Sequence, residues 1–177
     1  VVFEGAQGLL LDQNKKEMLP HVTTSNTGCK NVVELLINFG FKEEIEVNYI
    51  CRVYMTKHGA GPFPHELFDI PYEKFEDKNN VPNRYQGSLR FSYMDYDVLA
   101  SAINADLVNL PENCKVNVVF SCIDQLGEKY YYYNDGCFSE SDSQDVLKVS
   151  KEILSKKLNK LTNVFGINAI DANTLIK

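Results

Sequence analysis

The short apolar run Val116 to Phe120 constrains this chain more than any other segment. A helix-spaced stretch, Tyr96 to Leu107, precedes it, and a longer one reaching about Leu161 follows. A strand that is apolar on both faces has to be covered on both, and helices packed above and below are the usual cover. Residues 1 to 6, Asn48 to Met55, Lys129 to Tyr133 and Val164 to Ile170 read as further strands. Strands alternating with helices predict an α/β fold with a mostly parallel mixed sheet and helices on both faces. The 177 residues suit one domain, and a chain of that size buries roughly 70% of the surface its unfolded form exposes.

The helices follow from spacing. Val32, Leu35, Leu36 and Phe39 share one face of a helix that Asn31 would cap and Gly40 would end. Val98, Leu99, Ala102 and Ile103 cluster within the 96–107 helix. Val146, Val149, Ile153, Leu154, Leu158 and Leu161 form the stripe of a long helix capped by Ser141 or Ser143. Residues 70 to 87, rich in Pro, Asn, Asp and Gly, read as an exposed loop.

Ligands of such sheets sit outside the carboxyl ends of the strands, and two glycine turns fall there. Gly5-Ala6-Gln7-Gly8 lets backbone approach a ligand closely and offers the Gln7 amide, both donor and acceptor. His58-Gly59-Ala60-Gly61-Pro62-Phe63-Pro64 is the second turn, with His58 as a polar pocket wall and His65 as a solvated loop residue. Between them Thr23, Thr24, Ser25, Asn26 and Thr27 offer donors that either meet phosphate oxygens at the start of the next helix or serve the loop internally. Arg90 is either a bidentate clamp for a carboxylate or a surface arginine.

Composition narrows the classes. A net charge of −6 opposes binding to nucleic acid, and no apolar run approaches a membrane span. The five cysteines have no C-x-x-C spacing, so neither a disulfide scaffold nor a zinc site is expected, and reduced thiols fit a cytoplasmic protein. His58 and His65, seven apart with prolines between, fit no metal-ligand spacing; no metal site is expected in the chain. The four tyrosines 130 to 133 alternate faces on a strand, as core packing requires, or as a stacking platform would.

Phe3-Glu4-Gly5-Ala6-Gln7-Gly8, Leu10-Leu11-Asp12, Val22-Thr23 with Ser25-Asn26-Thr27, and Gly59-Ala60-Gly61-Pro62-Phe63-Pro64 together resemble the adenylosuccinate synthetase family, in its order and close to its spacing. The resemblance is good to about residue 70 and weaker beyond. It implies that residues 1–177 are a C-terminal portion of a larger P-loop-like ligase fold, with the phosphate-binding half absent and the chain inactive alone. The implied reaction phosphorylates the 6-oxygen of IMP with GTP, and aspartate's amine then displaces the phosphate, with Mg2+ held by the missing half. It also implies a cytoplasmic homodimer.

Carried over position by position, the resemblance puts Gln7 beside the purine 6-oxygen as the catalytic contact, with Gly8 next to it. Thr23 falls on the nucleotide phosphate, and His58 and Gly59 near the ribose, where the family has Val-Gly. Gly87, Ser88 and Arg90 fall in the aspartate loop, which lacks at least one family arginine. Cys122 and Asp124, with Asn168, fall where the family reads guanine, but Cys122 replaces a lysine, which opens ATP as the co-substrate. The divergence suits either the ordinary IMP enzyme or the branch resembling 2-aminoadenylosuccinate synthetases, which takes a guanine monophosphate such as dGMP. A catalytically degenerate purine-nucleotide-binding module is the alternative of another class.

Overall fold

A computed structural model describes residues 1–75 and 80–168. Among these residues seven strands and three α-helices form an α/β fold with two sheets. Strands β1 (Ile45–Arg52), β4 (Cys114–Ser121) and β7 (Asn163–Gly166) make an all-parallel sheet in the order β1-β4-β7. Strands β2 (Tyr54–Lys57), β3 (Arg90–Asp95), β5 (Lys129–Asn134) and β6 (Cys137–Asp142) make a mixed sheet in the order β2-β3-β5-β6. Its β3–β5 pair is parallel and its two outer pairs are antiparallel.

The Val116–Phe120 run lies in β4, the centre of the parallel sheet, with Val116, Val118 and Phe120 fully buried. Asn117 is tolerated there because its Nδ2 donates to Glu46 Oε1 at 2.8 Å and to Asn48 Oδ1 at 3.0 Å across the β1–β4 pair. The expected strand Asn48–Met55 is divided at Val53. Its first part belongs to β1 and its second to β2, while the fully buried Val53 donates its N–H to Ser121 O at 3.0 Å. One apolar stretch therefore feeds both sheets.

Helix α1 (Lys30–Asn38) ends as its sequence requires. Gly40, at φ +69°, donates to Ile37 O and Phe41 to Leu36 O, the paired bonds of a Schellman stop. Helix α2 (Tyr96–Leu107) is capped by Asp95, whose side chain accepts the N–H groups of Asp97 and Val98, each at 3.0 Å. Helix α3 (Val146–Lys157) is shorter than its stripe. Ser141 lies in β6 and Ser143 opens a 3-10 turn without capping, and Leu158 and Leu161 stay in the hydrophobic cluster from beyond the helix end.

Between the mixed sheet, α2 and α3, Tyr96 and Tyr130 bury their rings fully and share hydroxyl protons at 2.8 Å, with Ser150 Oγ 2.5 Å from Tyr96. The run of four tyrosines alternates as expected. Tyr130 and Tyr132 stack at 5.4 Å on the α2 side, and Tyr131 and Tyr133 meet Phe138 on the other. Two expectations, the strand at residues 1 to 6 and the extent of the final strand, are corrected, and one strand, β6, is additional to those expected. Residues 1 to 6 form no strand, because no described strand pairs with them, and Val1 and Val2 are exposed. Strand β6 follows from a two-residue turn with Asp135 at φ +53° and Gly136 at +70°. The expected final strand ends at Gly166; Ala169 and Ile170 lie outside the described residues.

Candidate functional site

The segment from Gly8 to Cys29 is organised around Asp12. A 3-10 turn, Leu9–Leu11, leads into it, and its carboxylate accepts Thr27 N–H at 2.7 Å and both the N–H and the side-chain amide of Asn14 at 2.8 Å. Burial raises the carboxyl's pKa, but the bonds from Asn14 and Thr27 outweigh it and hold the group below its usual value. Thr23 N–H donates to Leu11 O at 2.7 Å and Gln13 N–H to Ser25 O at 3.1 Å, so the hydroxyl-rich stretch runs back along the glycine turn. Asn26 accepts from Gln13 and Asn14 and donates to Asn31 at 3.0 Å. Asn31 is thereby a partner for this loop and not the cap of α1; Cys29 occupies the cap position with no side-chain cap bond. Much of the polar stretch is satisfied internally, Thr23 Oγ1 lying 3.3 Å from Ser25 Oγ. Thr27 Oγ1 is buried with no hydrogen-bond partner.

The second glycine turn packs against this loop. Gly61, at φ +104°, faces His21 so closely that a Cβ on it would lie 2.6 Å from the imidazole Cγ. Glycine is required there twice, for backbone angle and for space. Arg90, at the start of β3, holds the turn: one Nη donates to the carbonyls of Gly59 and Gly61 at 2.9 Å each, and Nε donates to Glu66 at 2.7 Å. The guanidinium also lies 5.5 Å from the Phe63 ring centroid. The carboxylate that Arg90 grips is thus an internal one, Glu66. His58 Nε2 is buried without a partner. His65 is not merely solvated: it stacks on Tyr133 at 3.7 Å, with Nε2 3.6 Å from Asp95.

The Thr23 loop thus links the two glycine turns. A Cβ on Gly5 would lie 3.5 Å from Thr27 O, the Thr23 loop returns to Leu11, and His21 meets Gly61 beside Arg90. Gln7 and Gly8 are exposed, and Thr23, His58 and Gly59 are partly buried. Gly87, at φ +69°, closes a tight turn with Asn83, and Ser88 beside it is exposed; both precede Arg90 in the loop that leads into β3.

The residues expected at the triphosphate's base come together at the carboxyl ends of β4 and β7. Ile123 N–H donates to Ile167 O at 3.4 Å and Ile167 N–H to Phe120 O at 2.8 Å, which sets Cys122 and Asp124 beside Asn168. Asp124 and Asn168 are exposed. Cys122 is in the left-handed region at φ +63° and buried, with its thiol 3.8 Å from Ser121 Oγ.

Sequence reasoning missed three carboxylates. Asp12 and Glu66 sat in quoted or adjoining motifs, and their signal was acid beside a glycine turn. Asp106 gave none, because its partner Cys29 is 77 positions away. Among the described residues no three His, Cys, Asp or Glu side chains converge to hold a metal, and no helix is long and apolar enough to cross a membrane. An apolar hollow of about 580 Å³ lined by Phe3, Leu35, Leu36, Phe39 and Phe41 contains none of the candidate residues.

Residues 1–124 match the family model described as adenylosuccinate synthetase. Among curated proteins, the adenylosuccinate synthetase of Thermoplasma volcanium is 31% identical, over 72% of this chain and 27% of its own length. That of Lactobacillus johnsonii is 32% identical, over 75% of this chain and 33% of its own. That of Finegoldia magna is 27% identical, over the whole of this chain and 42% of its own. The chain thus spans about a third of the length of the first two.

Proposed function

The chain belongs to the adenylosuccinate synthetase family, and from that premise we propose that it is the purine-monophosphate side of a ligase joining aspartate to the 6-position of IMP. The observation that carries the reading is the contact between the two glycine turns and the Thr23 loop. Three motifs scattered over some sixty positions of sequence approach one another, and two of their side chains, His58 Nε2 and Thr27 Oγ1, are buried and unpartnered. Buried polar atoms without partners cost stability unless a ligand or water satisfies them.

In this reading Gln7 donates its amide to the purine 6-oxygen as negative charge develops there, and Thr23 with neighbouring N–H groups holds the 5′-phosphate. His58 and Gly59 border the ribose, and Gly87 and Ser88 border the incoming aspartate. Arg90 acts on aspartate through the turn it braces, since its own charge is matched by Glu66. Among the described residues no metal-ligand set converges; in this reading the Mg2+ ligands and the remaining catalytic groups are supplied by polypeptide outside residues 1–177. The chain alone is inactive, and the full protein is a cytoplasmic homodimer without nucleic-acid or membrane partners.

A second reading is favoured by Cys122. Its buried thiol, turned to Ser121, offers no cation for guanine, so Asp124 and Asn168 border an adenine and ATP replaces GTP. The acceptor is then a guanine monophosphate, as in the 2-aminoadenylosuccinate branch. Calorimetric titration of the full gene product with IMP and with dGMP tests both. Gln7→Ala lowers turnover at least tenfold while Tyr132→Ala changes it little; equal small effects would remove Gln7 from the site.

A further inference from the structure

We propose that Asp106, which nothing in the family comparison marks, is a positioning residue for the nucleotide-phosphate loop: it fixes the end of the Thr23–Cys29 segment to the core by capping α1 from across the fold. The inference rests on the reading of Thr23 as the phosphate contact. Asp106 is 7% exposed and lies one residue from the carboxyl end of α2. A carboxylate is disfavoured there by its own helix, whose final turn carries partial negative charge.

What holds Asp106 there is the other helix. Both its oxygens accept the N–H of Cys29, each at 3.0 Å, and Cys29 is the residue before the first turn of α1. Neither Cys29 nor Asn31 caps that helix with its own side chain, so the negative charge its amino end favours arrives from α2. Tyr49 OH, from β1, donates to Asp106 Oδ2 at 2.8 Å, and Asn109 Nδ2 lies 3.2 Å from Oδ1. One carboxylate thus joins loop, sheet and both helices.

Gly28 is the complementary half of the device. A Cβ placed on it would fall well inside van der Waals contact of all three carboxyl atoms of Asp106. The loop backbone therefore lies directly on the carboxylate, a fit that only glycine permits. The bond also closes the run that begins at Thr23 N–H on Leu11 and passes through Thr27 N–H on Asp12. Without its far end, the Thr23 hydroxyl and its neighbouring N–H groups lose their common orientation.

The test uses the full gene product with IMP as the probe. Asp106→Ala weakens IMP binding and raises its KM by about tenfold or more, the scale of losing hydrogen bonds to a charged group, while kcat falls less. Asp106→Asn, which keeps one acceptor oxygen and lets Tyr49 OH accept in turn, recovers most of that loss and guards against a variant that fails to fold. Amide exchange accelerates in residues 23–29 while β4 stays protected. Gly28→Ala is as damaging as Asp106→Ala alone and nearly silent when added to it, because the space it needs has been vacated. Unchanged IMP affinity in Asp106→Ala, or strictly additive Gly28 and Asp106 effects, overturns the proposal. If the unaltered protein binds no IMP, the functional reading fails instead, and the exchange pattern and the coupling still decide whether Asp106 sets the loop.

Discussion

Alanine at Gly61 should damage the site more than alanine at either of two other glycines in the same turns, and the structure gives the ranking. Gly61 sits at φ +104°, where an L side chain costs about 1–2 kcal/mol. The added Cβ would also stand 2.6 Å from His21 Cγ, and forcing extra volume into a packed site costs about 1–3 kcal/mol. The expected loss for Gly61→Ala is therefore about 2–5 kcal/mol. Gly59, at φ +75°, meets nothing within 4 Å, so Gly59→Ala bears the backbone cost alone, about 1–2 kcal/mol. Gly8 has φ −77° and open space around it, so Gly8→Ala is neutral or stabilises by a few tenths of a kcal/mol, roughly, through the unfolded chain. Urea unfolding of each variant, with the slope checked for constancy, measures the series. The decisive variant is Gly61→Ala in a His21→Gly background, which removes both the imidazole and the His21 Cβ that would stand 2.8 Å away, so the cost drops to the Gly59 level. Equal losses at Gly59 and Gly61, or no relief on removing the imidazole, would refute the contact between the second turn and the Thr23 loop.

Acid stability should report the Asp97 pair. The Lys157 ammonium, 2.6 Å away, and the Gly136 N–H hold the Asp97 carboxyl below its ordinary value of 3.8. A depressed carboxyl stabilises the fold above its unfolded pKa, and that contribution is lost as pH falls through the folded one. The urea midpoint of the unaltered protein therefore declines from about pH 4 downward more steeply than that of Asp97→Asn; parallel profiles would exclude the pair. Thiol labelling at pH 8 followed by peptide mapping should modify exposed Cys137 first. Cys29 and Cys51, both pushed up to about 12 by burial, react only on unfolding.

The elements legible in the sequence were those whose signal is local. The apolar run of β4, the spacing of α2 and the glycine stop of α1 each carry their cause within a dozen residues, and each stands where periodicity puts it. Strand β6 was illegible because Cys137–Asp142 is polar and exposed, held by pairing to β5; only the Asp135-Gly136 turn announces it. The split at Val53 was hidden for the opposite reason, since one continuous apolar stretch serves two sheets. Residues 1 to 6 have the composition of a strand but no pairing partner among the described residues, and composition cannot supply one. At the site, the glycine turns and the Thr23 loop were visible as motifs. Their mutual contact through His21, the use of Arg90 on Glu66 and the Asp106 tie were not, because each joins residues between 24 and 77 positions apart.

The central claim is that the protein to which this chain belongs ligates aspartate to a purine monophosphate. Phosphate release by the full gene product, followed with IMP or dGMP, GTP or ATP, and with or without aspartate, tests it most directly. Release should require both a purine monophosphate and aspartate in at least one combination, and Gln7→Ala should abolish it or nearly so. Release in no combination, or release indifferent to aspartate, would contradict the claim.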